Sequence, residues 1–220
     1  MTRAVAAGLA GLVSCILAIS LSACGLVTST SRSVFVLFDA SGTYVKAIPD
    51  ATRWASLLVA RLQPGDFIAV SQISSCSFSD KEVVLQERLP ETPSRSAEAQ
   101  RVVFTKLRDF AGSVKSTKYT DIHGALAQAA FELRQRPEKA RYIVVFSDMM
   151  EDLAPRCDTS KVTLDLSGIT VVASNVIKTN SANPDKYFAL LKTWEATVTA
   201  AGGKWMLATS PDQLPDMVTK

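Results

Sequence analysis

Three short polar stretches carry most of the chemistry open to this chain, and each lies beside an apolar run. Asp39-Ala40-Ser41-Gly42-Thr43 puts a carboxylate and two hydroxyls on alternating residues of one tight turn. Tyr119-Thr120-Asp121-Ile122-His123-Gly124-Ala125-Leu126 opens a helical pattern, and Ser147-Asp148 follows a second apolar run. A hard divalent cation takes oxygen ligands in octahedral geometry and keeps some of its waters. Asp39, Ser41 and Thr43, completed by Thr120 and Asp148 from neighbouring loops, form such an oxygen-only set, for which Mg2+ or Mn2+ is the expected ion. Taken singly, Asp39 and Ser41 read as helix caps, Thr120 as an N-cap, and Asp148 as a turn residue. Their joint appearance at strand ends and a helix start favours the metal site. His123 is the only histidine; with no second His or Cys at zinc-ligand spacing it reads as a packing or surface residue. Asp121 and Asp152 read as residues beside the ligands or in solvent, not as ligands.

The elements that must position these residues alternate. Val34-Phe35-Val36-Leu37-Phe38 and Arg141-Tyr142-Ile143-Val144-Val145-Phe146 are β-rich runs of the kind buried on both faces of a parallel sheet. The pattern predicts further strands at 67–73, at 169–176 and 205–208, and a less buried one at 82–89, at an edge. Helices are predicted over 47–62, 94–110 (with Ser94 or Ser96 as N-cap), 121–135, 184–200 and 211–218. Strand alternating with helix predicts an α/β fold with a mostly parallel sheet and helices on both faces. Ligands of such sheets bind beyond the carboxyl ends of the strands, which directs attention to the residues just after Phe38 and Phe146. Trp54, Trp194 and Trp205 read as packing residues. Arg134, Arg136, Lys139 and Arg141 read most simply as a solvated face, with contact to anionic headgroups as the alternative.

Asp39-x-Ser41-x-Thr43, Thr120 and Asp148 resemble, in order and spacing, the metal-ion-dependent adhesion site of von Willebrand factor A (VWA) domains. Thr120-Asp121-Ile122-x-Gly124-Ala125-Leu126 and Phe146-Ser147-Asp148 are also similar to those stretches of the family, and the resemblance covers about residues 34 to 210. It implies a Rossmann-like, doubly wound, mostly parallel sheet with one antiparallel edge strand. It further implies that the hydroxyls of Ser41 and Thr43 bind the ion directly, that Thr120 does so in the ligand-competent form, and that the aspartates often act through water. One position is then left open for an acidic side chain of a protein partner. Thr43 stands where the family usually has Ser, and it keeps the hydroxyl. The expected function is partner binding, with no catalysis.

A rival enzyme reading exists. Phe38-Asp39-Ala40-Ser41-Gly42-Thr43 also resembles the first motif of haloacid dehalogenase-type phosphatases, in which the first Asp is the nucleophile, and Ser147 to Asp152 resembles their acidic Mg2+ motif. That family usually has a second Asp, the general acid for the leaving group, where this chain has Ser41. The rival also leaves Thr120 to Leu126 unexplained. A metal-free scaffold module is the third reading.

The N-terminus gives the expected location. Arg3 is followed by the uncharged run Ala4 to Leu21, the n-region and h-region order of a secretory signal. Leu21-Ser22-Ala23-Cys24 then resembles the bacterial lipobox, which implies cleavage before Cys24 and lipid, including palmitate, on its thiol. Residues 1–23 are thus expected to be signal, 24–33 a lipidated cysteine with a short Ser/Thr-rich tether, and 34–220 the VWA domain. At about 3.3 to 3.6 Å per residue the tether reaches no more than roughly 35 Å, so the domain would sit close to the membrane. Gly25 stands where Asp tends to retain Gram-negative lipoproteins at the inner membrane, so the outer membrane, periplasmic face, is expected if the organism has one. Cys76 and Cys157 remain as an even pair in an oxidising compartment, with free thiols as the alternative. In the family's sheet order both lie at the metal-bearing end, so a bridge would tie loops near the site. The formal charge of +3 gives no basic footprint for nucleic acid.

Overall fold

The structure, a computed structural model, describes residues 31–78, 80–157, 162–177 and 184–219. Cys24, the signal and most of the tether lie outside these residues. Among the described residues no helix is long and apolar enough to cross a membrane.

One six-stranded sheet forms the centre. Its strands are β1 (Arg32–Asp39), β2 (Phe67–Ile73), β3 (Val83–Arg88), β4 (Ala140–Phe146), β5 (Ile169–Ser174) and β6 (Lys204–Ala208), in the order β3-β2-β1-β4-β5-β6. All neighbours are parallel except β2 and β3. The chain is therefore α/β with one antiparallel edge strand, as expected. Asp39 is level with Ile73 on one side, and Phe38 is level with Phe146 on the other. The ends of three adjacent strands thus finish together, and the loops that follow them share one end of the sheet.

Among the described residues, five α-helices cover the two faces: α1 (Ile48–Arg61), α2 (Pro93–Ser113), α3 (Ile122–Arg134), α4 (Pro184–Ala200) and α5 (Gln213–Thr219). Because strand side chains alternate between faces, Val34, Val36 and Phe38 pack with α1, α2 and α5, whereas Phe35 and Leu37 pack with α3 and α4. Phe38 stacks on Phe146 at 5.0 Å between ring centroids and also meets Phe110 of α2 at 5.4 Å. Phe38 and Phe146, both fully buried, directly precede the polar loops in the chain.

Several boundaries differ from the sequence reading for identifiable reasons. β1 begins at Arg32, ahead of its apolar run, because Asp66 accepts the Arg32 N–H at 2.8 Å and the Ser33 hydroxyl donates to Glu138 at 2.6 Å. α2 starts at Pro93, with Thr92 in the cap position and no side-chain cap bond, so neither Ser94 nor Ser96 is the cap. Proline's fixed φ and missing N–H suit the first helical position. β5 stops at Ser174 because Asn175 turns into the left-handed region at φ 51°. The arginine cluster is not simply a solvated face. Arg136 lies 4.0 Å over the Phe67 ring, Arg134 pairs with Asp165, and Arg141 donates to the Arg136 carbonyl.

Candidate metal centre

The turn after β1 is shaped by its own aspartate. Asp39, fully buried, accepts the backbone N–H of Ser41 through Oδ1 at 2.7 Å and the hydroxyl of Ser147 through Oδ2 at 2.6 Å. The first bond folds the turn, and the second ties it to the end of β4. Ser41 Oγ and Thr43 Oγ1 stand 3.1 Å apart; Ser41 is buried and Thr43 exposed. Two oxygens each about 2.1 Å from one octahedral cation lie about 3.0 Å apart when adjacent, so this pair is spaced as neighbouring ligands of a Mg2+-sized ion.

Thr120 and Asp148 reach the same end from other elements. Thr120, buried, precedes α3 and exchanges two backbone hydrogen bonds with Asp152, at 2.8 and 3.0 Å. The segment before it is stitched to the turn, since the Thr117 N–H donates to the Ala40 carbonyl at 2.7 Å. Asp148, also buried, accepts the Met150 N–H at 3.0 Å. Burial pushes the Asp39 carboxyl above its usual range, the bonds from Ser147 and Ser41 pull it back, and the charge of Asp148 raises it again. The charge of Asp148 thus bears on Asp39, which is itself held by the Ser147 hydroxyl and the Ser41 N–H. Among the described residues no group of three or more His, Cys, Asp or Glu is placed to hold a metal. A site here must draw on hydroxyls, and the oxygen-only set of Asp39, Ser41, Thr43, Thr120 and Asp148 fits a hard cation.

Three supporting residues were not assigned from the sequence. Ser147 is one, through its bond to Asp39. Its Oγ also accepts the Met149 N–H at 2.8 Å. Met149 is another: it is buried with φ 63°, a conformation that costs a non-glycine residue about 1–3 kcal/mol unless its surroundings impose it. Here the third, Trp194 of α4, donates its indole N–H to the Met149 carbonyl at 2.8 Å. Asp121, read as a bystander, is the N-cap of α3: Oδ1 accepts the Gly124 N–H at 2.7 Å and Oδ2 the Ser77 N–H at 2.8 Å. A side chain at position 124 would collide with that carboxylate, which accounts for glycine there. The signal for Ser147 was present in its position after a buried strand; the others depend on long-range contacts. Cys76 and Cys157 are joined as a disulfide with Cα atoms 5.6 Å apart, at this same end of the molecule.

Solved structures share this fold. A von Willebrand factor type A protein from Catenulispora acidiphila superposes with a TM-score of 0.57 at 13% identity, over 87% of this chain and 42% of that one. The chain has the von Willebrand factor A fold. BatB of Bacteroides thetaiotaomicron, described as a conserved hypothetical protein, matches with a TM-score of 0.52 at 12% identity, over 86% of this chain and 96% of that one. The pilus adhesin SpaC of Lactobacillus rhamnosus GG matches with a TM-score of 0.54 at 10% identity, over 87% of this chain and 29% of that one. This chain thus spans well under two thirds of the first and third of these proteins. By sequence, no protein-family model and no curated protein matches it.

Proposed function

We propose that this chain is a membrane-anchored binding protein that engages an acidic side chain of a protein partner through a Mg2+ or Mn2+ ion. Asp39, Ser41, Thr43, Thr120 and Asp148 would hold the ion, which supplies an open coordination position for the partner's carboxylate. The chain's own residues set the rest: Ser147 orients Asp39, and the backbone pairing with Asp152 fixes Thr120. The observation that carries this reading is the 3.1 Å spacing of the Ser41 and Thr43 hydroxyls beside two buried carboxylates. The VWA fold supports it, and so does the occurrence of that fold in a pilus adhesin.

No catalysis is assigned. Ser41 occupies the position where a phosphatase of the rival family needs its general acid, and its hydroxyl lies against Thr43. The anchor would be lipid on Cys24. Membranes incubated with the tagged full chain should yield a captured partner that is lost in EDTA, and lost with Ser41→Ala or Asp39→Ala while the far-UV circular dichroism is unchanged. Capture that survives EDTA and both substitutions sinks the mechanism. Phosphate trapped on Asp39 would revive the enzyme.

A further inference from the structure

We infer that the Cys76–Cys157 bridge, acting through Asp121, holds Thr120 in place for the metal, so that a dithiol reductant that opens the bridge weakens the ion site. This rests on the metal reading above. The loops that follow β2 and β4 leave the sheet on opposite sides of β1. The dipeptide Thr120-Asp121 lies between them and is gripped from both. From the β4 side, Asp152 exchanges two backbone bonds with Thr120, at 2.8 and 3.0 Å. From the β2 side, the Ser74 carbonyl accepts the Asp121 N–H at 2.8 Å, and the Ser77 N–H donates to the Asp121 carboxylate at 2.8 Å.

The bridge closes this grip. Cys76 immediately precedes Ser77, and Cys157 Sγ lies 3.6 Å from the same Asp121 oxygen that Ser77 binds. It is the covalent link between two loops that are otherwise coupled through Thr120-Asp121 itself. Of the five candidate ligands, Thr120 is the one whose own backbone and whose neighbour Asp121 take the bonds of this grip. Asp39, Ser41 and Thr43 share one turn, and Asp148 stands directly after β4. Cys76 is exposed and Cys157 half-buried, so a small dithiol can reach the bond. The reaction is ordinary exchange: one thiolate of the reductant attacks a bridge sulfur and releases the other cysteine. Its second thiol then attacks the reductant's own sulfur in the mixed disulfide and releases the remaining cysteine. The protein gains two thiols, and the dithiol leaves as a cyclic disulfide.

The test uses the full chain in detergent, oxidised, reduced by dithiothreitol, and as the Cys76→Ser/Cys157→Ser double variant. Two quantities are read: Mn2+ affinity by calorimetry on each folded sample, and amide exchange in EDTA. Opening the bridge should lower Mn2+ affinity by about 10- to 100-fold, the usual effect of losing a residue that supports metal ligands. Exchange at Ser77, Thr120, Asp121 and Asp152 should quicken while β1 and β4 stay protected. Asp121→Asn, with the bridge intact, should give part of both effects, because one carboxylate acceptor is lost. A general fall in the unfolding midpoint is expected for any lost disulfide and does not bear on the claim. Unchanged protection at those four amides overturns the inference, as does unchanged Mn2+ affinity once they have loosened. If the reduced and variant chains do not fold, the Asp121→Asn arm decides. A chain that binds no Mn2+ even when oxidised sinks the metal reading instead, and the exchange result alone then decides the clamp.

Discussion

Asp39 illustrates how one carboxylate both organises the site and strains it. Its two oxygens fold the turn and join it to β4, yet burial raises its proton affinity. A group whose folded pKa lies above its unfolded value stabilises the protein below the unfolded value, near 3.8, and that contribution is lost as pH rises through the folded pKa. In EDTA, Asp39→Asn should therefore be more stable than the parent at pH 7, with the difference closing towards pH 3.5. Asparagine can still accept the Ser41 N–H and donate to Ser147. Urea unfolding at several pH values checks this; a parent more stable than the variant at pH 7 without metal contradicts it. The carboxylate and hydroxyls at 39 to 43 were legible in the sequence because the motif is local. Met149 and Trp194 were not, because their roles come from contacts between distant segments. For Ser147 the position after a buried strand was legible, but not the bond to Asp39.

At the scale of elements, the candidate site is supported by a helix that supplies none of its proposed ligands. α4 contributes Trp194, whose N–H holds the Met149 carbonyl, and Met149 in turn sets the path of the chain next to Asp148. Trp194→Phe keeps an aromatic ring and leaves a buried carbonyl without its donor, at a cost of about 1–3 kcal/mol. Denaturant unfolding should show a loss of that size. A loss below about 0.5 kcal/mol would mean that the bond is not maintaining the turn. Strand and helix positions were legible because apolar runs and helical spacing repeat over many residues. The ends of β1, α2 and β5 were not, since Asp66, Pro93 and Asn175 decide them through partners or backbone conformation.

For the molecule as a whole, the sheet order is what creates a site. β1 lies between β2 and β4, so the segments that carry positions 39, 120 and 148 come to one end of the sheet only when the chain is folded. The alternation of strand and helix foretold that class of sheet, but the cross-links between loops, through Thr117, Asp121 and Asp152, had no sequence pattern to announce them. An ion that binds only the assembled site must stabilise the fold, by about 2.7 kcal/mol at one hundred times its dissociation constant. For a chain of this size that raises the unfolding midpoint by roughly 5–11 °C. The most direct measurement is thermal unfolding of the parent chain and of Ser41→Ala across Mn2+ concentrations, with EDTA as the zero point. A rise in midpoint that grows with Mn2+ in the parent and is absent from Ser41→Ala is the predicted result. A parent that does not respond at millimolar ion, or a variant that responds equally, would contradict the metal site.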